Sequence, residues 1–380
     1  MNILFFISTL GGGGAERIAL TVAESIPSKM NKNLCIIYDI PQKYTTNIPT
    51  TVLSHYPQKQ FLRFINIPRI IYRLVQELHK KKIDVSISFL TLDNIINILA
   101  NLFYRKKIIL SVHSLPAVKP CLNKLVQTIT FTLAKHTNTS IVVVSKEISN
   151  ELIRLYGLSE SQISVIYNPI DISTIQELAK EEELDSRVNT TVSLIVTVGR
   201  LNAVKGQWHL IRAFAELRKK QECQLLICGE GPEKEYLSGL SRDLGIEDDV
   251  VFLGWQENPY KYMKKSTVFV QSSLSEALPN VLVESLACGC PVVAAGCSRG
   301  IEEILGSDDR CGFIVEKMSG ERYSAKDALD AGELDLYNAM LWVLRDVSLR
   351  ADMSEACKER AKMFDLDIGI HKYVELIEKN

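Results

Sequence analysis

Two carboxylates, Glu276 and Glu284, flank a proline in "SEALPNVLVESLACGCPVV". Pro279 precedes an apolar run with helical spacing. The backbone from Leu278 through Pro279 and Asn280 to Val281 is therefore predicted to open a helix. Unpaired N–H groups and the helix dipole favour an anion there. Glu284 falls two turns into that helix, so one carboxylate can face a reacting sugar while the other takes a pair of hydroxyls such as a ribose. Standing alone, the same pair would read as a cap and a solvated helix face. A second stretch, "VGRLNAVKG", puts Arg200 and Lys205 on one strand-to-helix loop. A planar guanidinium fork and a compact ammonium suit a diphosphate carrying about two negative charges. As plain surface cations they would add little to stability.

Four glycines, residues 11–14, lie between the apolar run "NILFFI" and the helix start "AERIALTVAESI". Such a loop lets backbone approach phosphate. It does not fit G-x-x-x-x-G-K-[ST]. It fits G-x-G-x-x-G only in part, because Asp39 is the sole acidic residue near the end of the second strand. Other candidates follow strands too: His113 after "KIILSV", Asn168 and Asp171 after "ISVIY", Gly229 and Gly231 with Glu230 after "QLLIC". Seen alone, His113 reads as a satisfied core histidine. No Asp-x-Asp motif stands near a strand end, and the cysteines have no histidine cluster beside them. The expectation is chemistry without metal or cofactor, in which Arg200, Lys205 and the helix start at 278–281 stabilise a leaving diphosphate.

The elements that must position these residues alternate regularly. Strands are predicted at 2–7, 33–38, 84–90, 107–112, 140–144 and 163–167, then at 192–198, 223–228, 250–253, 267–271, 291–295 and 312–315. Helical patterns lie between them, at 15–26, 68–82, 122–135, 205–220 and 333–346 among others. Strands as apolar as "IVVV" and "LIVTV", separated by helices, imply α/β architecture with parallel sheets buried on both faces. The polar stretch 171–191 reads as a linker between two doubly wound, Rossmann-like domains. Ligands of such sheets sit at the carboxyl ends of strands, and two sheets face to face would make a cleft.

Composition narrows the classes. At 380 residues the chain is long for one core. No run reaches the ~18 apolar residues of a membrane span, and "NILFFISTL" reads as a first strand with no basic leader. The nine scattered cysteines read as buried thiols of a reducing cytoplasm. Net charge is −1, but it is unevenly spread. Residues 1–170 hold 19 Lys and Arg against 9 Asp and Glu, and the remainder hold 25 against 36. The basic half invites an anionic partner. Nucleic acid is disfavoured, since no aromatic–basic interleaving accompanies the charge.

Taken together, "GGGGAER", "YNPID", "GRLNAVKG", "CGEGP", "VVFLGW" and the E-x7-E element, in this order, resemble glycosyltransferase family 4, retaining enzymes of the GT-B fold. The resemblance covers nearly the whole chain. It implies an N-terminal domain over 1–170, a nucleotide-sugar domain over 171–364, and a closing helix at 365–380 that packs back on the first domain. It also implies roles. Gly13 and Gly14 would approach the donor diphosphate, which Arg200 and Lys205 bind. Glu284 would hold the ribose, Glu276 and His113 would contact the donor sugar, and the amides around Asn280 would cap the phosphates. Gly254 and Trp255 would border the base, with Asn168, Gly229, Leu278, Pro279 and Val281 also on the donor. Two departures stand out. Ala277 follows the first glutamate, where the family usually has Gly, and 316–335 is a long polar excursion with no evident role.

The implied reaction is α-forming transfer from a nucleotide-sugar, with a UDP-linked N-acetylhexosamine or hexose as the leading donor. The leading acceptor is a lipid-linked, undecaprenyl-diphosphate saccharide of bacterial surface polysaccharide, lipopolysaccharide or O-antigen synthesis. The segment 58–82 has apolar positions 70, 71, 74 and 78 and a basic opposite face, with Phe61, Leu62, Phe64 and Ile65 ahead of it. It suits either a helix packed on its own sheet or peripheral contact with an anionic membrane on the cytoplasmic side. A GT-B epimerase or hydrolase, a transferase with a soluble acceptor and a Rossmann dehydrogenase are the competing classes. The joint presence of Arg200, Lys205, Glu276 and Glu284 argues against the epimerase, and the missing dinucleotide fingerprint against the dehydrogenase.

Overall fold

A computed structural model describes residues 1–41, 44–57, 65–116 and 122–379. It divides into two units, Met1–Pro169 with Asp367–Asn380, and Ile170–Leu366.

The first unit runs β1 (Asn2–Ile7), α1 (Gly14–Ser25), β2 (Asn31–Asp39), β3 (Thr50–His55), α2 (Ile67–Lys80), β4 (Val85–Ser88), α3 (Thr91–Tyr104), β5 (Lys107–Val112), α4 (Leu122–Ala134), β6 (Thr139–Val143), α5 (Lys146–Tyr156) and β7 (Ile163–Val165). All described strand pairs are parallel, in the order β3-β2-β1-β4-β5-β6-β7. Residues Ile3 to Ile7 are buried without a break, as a strand covered on both faces requires. The sheet has one strand more than the sequence pattern predicts. β3 is an edge strand in which only Leu53 is buried, so it carries no apolar run to betray it. Helix α2 buries Ile70, Leu74 and Leu78 against the unit; Phe61, Leu62 and Phe64 lie outside the described residues.

The second unit repeats the plan: α6 (Ile172–Leu178), β8 (Ser193–Val198), α7 (Gln207–Arg218), β9 (Cys223–Cys228), α8 (Lys234–Asp243), β10 (Val250–Gly254), α9 (Tyr260–Lys265), β11 (Val268–Gln271), α10 (Asn280–Ala287), β12 (Val292–Ala295), α11 (Arg299–Leu305), β13 (Gly312–Val315), α12 (Ala331–Arg345) and α13 (Val347–Ala361). Its parallel sheet is ordered β10-β9-β8-β11-β12-β13. The segment expected to be a plain linker, 171–191, begins with α6, which Asp171 caps by accepting from the Thr174 amide at 2.9 Å. Ile172 and Ile175 of this short helix are buried, which makes it part of the unit. The chain closes with α14 (Leu366–Glu378), in which Lys107 Nζ donates to the Leu376 carbonyl at 2.7 Å.

Strand order reverses direction between β1 and β4 in the first sheet and between β8 and β11 in the second. At such switch points the outgoing loops diverge and leave a crevice beyond the strand ends. The eight described cysteines are free thiols, seven of them buried.

Candidate active site

Around the second switch point, two loops are laced together by their backbones. The β8 loop carries Gly199, Arg200 and a single 3-10 turn at Ala203–Lys205, capped by the Asn202 side chain. From the β11 loop, the Leu274 amide donates to the Val204 carbonyl at 2.8 Å and Ser272 Oγ to the Lys205 carbonyl at 3.2 Å. Gly206 must be glycine here. Its φ is +58°, and a Cβ would lie 2.5 Å from the Ser272 carbonyl oxygen. The lacing brings Lys205 Nζ to 2.5 Å from Glu276 Oε1. Both side chains keep some exposure, 25% and 17%. The Lys205 stem runs back beside Gly199, which directs its ammonium over the end of β8. An ammonium has three donors, so the pairing leaves two for a ligand.

Helix α10 starts beside this pair in sequence, with Pro279, whose own side chain supplies no cap, at the N-cap. Leu278 and Pro279 are buried, Asn280 and Val281 partly exposed, and Glu284 is 7% exposed on the same helix. Arg200 is exposed on the β8 loop, and its carbonyl accepts from Gln207 Nε2 at 3.0 Å. Toward the sheet edge the strand ends join in a row. The Gly199 amide donates to the Cys228 carbonyl at 2.9 Å and the Gly229 amide to the Gly254 carbonyl at 2.7 Å. Gly229, at φ +150°, has no room for a Cβ, which would meet the Gly199 carbonyl oxygen at 1.9 Å. "CGEGP" is therefore demanded by backbone packing as well as by any ligand. Trp255 follows with 59% of its surface exposed.

In the first unit, the glycine loop differs from the sequence picture. The Gly12 and Gly13 amides both donate to Glu16 Oε2 at 2.7 Å, and Thr9 Oγ1 donates to Glu16 Oε1. Glu16 thus caps its own helix and takes amides that the bare "GGGG" would offer to phosphate. Gly14 opens α1 and is exposed, with open space where a Cβ would stand. Across the switch point Asp93 is fully buried, accepting from the Ser8 amide at 3.0 Å and from Ser8 Oγ. Burial pushes its carboxyl up to about 7 despite the Ser8 hydrogen bonds, with the nearby Glu16 charge acting the same way as burial. Sequence reasoning passed over both carboxylates as site residues. For Glu16 the capping-box spacing from Gly13 was the readable signal.

His113 follows β5. Its Nε2 lies 2.9 Å from Ser111 Oγ, which lies 3.3 Å from the Tyr373 hydroxyl on α14. The Ser111 carbonyl accepts from Asn94 Nδ2 at 3.1 Å, and the Phe89 ring sits 5.8 Å from the imidazole. Burial pushes His113 down to about 4, so the imidazole is neutral at ordinary pH. Asn168 is buried beyond β7. Gly13, Gly14, His113 and Asn168 thus belong to the first unit, and the remaining predicted residues to the second.

Comparison with known proteins identifies the family and the fold. The family described as glycosyltransferase family 4 matches residues 12–174, and that described as glycosyl transferases group 1 matches 179–330. A Campylobacter jejuni protein named N-acetylgalactosamine-N,N'-diacetylbacillosaminyl-diphospho-undecaprenol 4-alpha-N-acetylgalactosaminyltransferase is 31% identical over 95% of this chain and 94% of its own. A second from that species, a GalNAc-alpha-(1->4)-GalNAc-alpha-(1->3)-diNAcBac-PP-undecaprenol alpha-1,4-N-acetyl-D-galactosaminyltransferase, is 24% identical over 99% and 98%. Among solved structures, Anabaena HepE, crystallised with UDP, superposes with a TM-score of 0.80 over 100% of both chains at 21% identity, a likeness of fold. With two doubly wound units, a Lys–Glu pair at the second switch point and a relative this similar over its full length, the chain belongs to the family 4, group 1 glycosyltransferases of the GT-B fold.

Proposed function

We propose that this protein transfers an N-acetylhexosamine or hexose from a UDP-sugar to an undecaprenyl-diphosphate-linked saccharide, with retention of the anomeric configuration. The Lys205–Glu276 pair, four residues ahead of α10 in sequence, carries the reading. A fixed cation held by a carboxylate suits a diphosphate that gains charge as the sugar leaves, and such preorganisation is a large catalytic term. Arg200 and two N–H groups of Lys205 take the phosphate oxygens with the α10 amides, and Glu284 takes the ribose hydroxyls. Glu276 holds Lys205 and accepts from the sugar hydroxyls. Neutral His113 is an uncharged partner for the donor sugar, and Trp255 offers its exposed face to the base. The acceptor hydroxyl attacks the face from which the nucleotide departs: its oxygen bonds to the anomeric carbon as the bond to the diphosphate oxygen breaks, and its proton leaves on that departing oxygen, giving an α-linkage. No metal has a part in this scheme.

The acceptor and the UDP donor are supported by the names of the Campylobacter relatives and by the UDP held in HepE. We further propose that the first unit rests on an anionic membrane. Arg69, Lys80 and Lys82 are exposed on and after α2. Leu122, Leu125 and Ile129 form an exposed apolar stripe along α4, and Phe103 on the neighbouring α3 is 72% exposed. Among the described residues no helix is long and apolar enough to cross a membrane.

The test is transfer from UDP-GalNAc, UDP-GlcNAc and UDP-Gal to an undecaprenyl-diphosphate-linked acceptor, with the product's anomeric coupling read by NMR and excess EDTA in a parallel arm. An α-linked product formed with EDTA present is expected. A β-linked product, or activity lost to EDTA and restored by Mn²⁺, overturns the scheme.

A further inference from the structure

Residues 316–330, between β13 and α12, leave the sheet but do not float on the surface. They are bound to α7, the helix that follows the Lys205 turn. Glu333, fully buried in the first turn of α12, lies 2.8 Å from His209 Nδ1 and accepts from Arg212 Nε at 2.9 Å. The rest of the Arg212 guanidinium donates to carbonyls of the excursion: Ser324, Asp327 at 3.1 Å and Ala328 at 2.8 Å. The Gly320 amide donates to His209 Nε2 at 3.2 Å, which makes Nδ1 the protonated nitrogen that donates to Glu333. Trp208 Nε1 donates to the Glu321 carbonyl at 2.9 Å, and Arg322 lies over the Trp208 and Tyr236 rings. His209, Asp330 and Glu333 are spaced like metal ligands. Arg212 and the Gly320 amide already engage Glu333 and His209, so the trio reads as a clasp.

The clasp meets the Lys205 loop through the His209 amide, which donates to the Gly206 carbonyl at 3.0 Å, and through a side chain of the β11 loop. Leu274 lies between Gly206 and Gly320, and a Cβ on either glycine would stand 3.3 Å from it. The same Leu274 bonds the Val204 carbonyl through its amide and precedes Glu276 on the β11 loop.

We infer that residues 316–330 are a strap that holds the Lys205 turn and the Glu276 loop in register, with Glu333, Arg212 and Leu274 as positioning residues. The consequence for turnover rests on the donor-site reading above; the mechanical coupling does not. A site already fixed before its ligand arrives spares binding an ordering cost, so a loosened strap weakens donor binding without touching the donor.

Hydrogen exchange and calorimetry with UDP decide it, on Glu333→Gln and Leu274→Ala. Leu274 is only half-buried, so its variant serves if loss of the Glu333 charge prevents folding. Both variants are expected to lose exchange protection across 199–206 and 272–279, and to bind UDP about tenfold more weakly well below their melting temperatures. Exposure confined to 316–330, or UDP affinity unchanged while wild type binds, overturns the strap. If wild type binds no UDP, the donor reading fails, and the exchange pattern alone decides the coupling.

Discussion

Lys205 and Glu276 meet across the switch point of the second sheet, 71 residues apart in sequence and 2.5 Å apart in space. The contact joins a loop leaving β8 to a loop leaving β11, and it holds a cation and an anion where a diphosphate-sugar would present both phosphate oxygens and hydroxyls. Lys205→Ala is therefore expected to do two things: remove a phosphate ligand and leave the Glu276 charge unpaired beside the phosphates.

Arg200→Ala and Lys205→Ala should each lower kcat/KM by roughly 10²-fold, comparable to the loss of one oxyanion donor. Adding Glu276→Gln to Lys205→Ala should cost less than the two single changes combined, because contacting residues couple by about 0.5–3 kcal/mol. Steady-state kinetics of wild type, the three single variants and the double variant checks this; strict additivity would show that the pair does not act as a unit.

Tyr373→Phe should lower kcat roughly tenfold with the donor KM unchanged, because the lost hydroxyl orients Ser111 and, through it, His113. His113 also makes acid stability informative. Its folded value, about 4, lies below its ordinary 6.5. Its contribution is complete above pH 6.5 and is lost as pH falls through about 4. Urea unfolding of His113→Gln should therefore show a shallower loss across that window than wild type.

Asp93 works in the opposite sense. Its folded value of about 7 lies above the ordinary 3.8, so the native state holds a proton that the unfolded chain releases. Stability is lost as pH rises from about 4 through 7. Asp93→Asn should gain on the order of 1–2 kcal/mol over wild type at pH 8, and nothing at pH 4. A variant less stable than wild type at pH 8 would mean that an ionised Asp93, held by Ser8, is the native form.

The proposed membrane contact is tested on basic residues that do not brace the sheet. Arg73 donates to the Leu53 carbonyl, and Lys81 to Thr51 Oγ1 at 2.8 Å, so both brace the edge strand β3. Replacing Arg69, Lys80 and Lys82 by Gln should weaken cosedimentation with phosphatidylglycerol vesicles at least tenfold at low salt, each charge contributing about 1 kcal/mol near an anionic surface. Rising salt should erase the difference. Equal binding by both proteins would leave the apolar stripe on α4, or nothing, to hold the surface.

How much of this was legible beforehand follows from which interactions are local. Runs such as "FFI" and "LIVTV" marked buried parallel strands because both faces of each strand are covered. Glycines and Pro279 marked loop conformations that their own backbones require. Family membership rested on six short motifs in order, each formed within a few residues. β3 escaped, because an edge strand with one buried side chain has no apolar run to read. The excursion at 316–335 looked idle because its partners, Trp208, His209 and Arg212, lie more than a hundred residues away. Which carboxylate meets which donor was likewise undecidable from spacing. Glu16 turns back on the glycine amides, Glu276 goes to Lys205, and the Asp93 carboxyl is pushed up to about 7, because burial and neighbours across a switch point set those outcomes. The sequence by itself determined every strand but β3, the loops at their ends and the family; the folded sheet decided which of their side chains meet, since pairing and desolvation arise only once distant loops share a crevice.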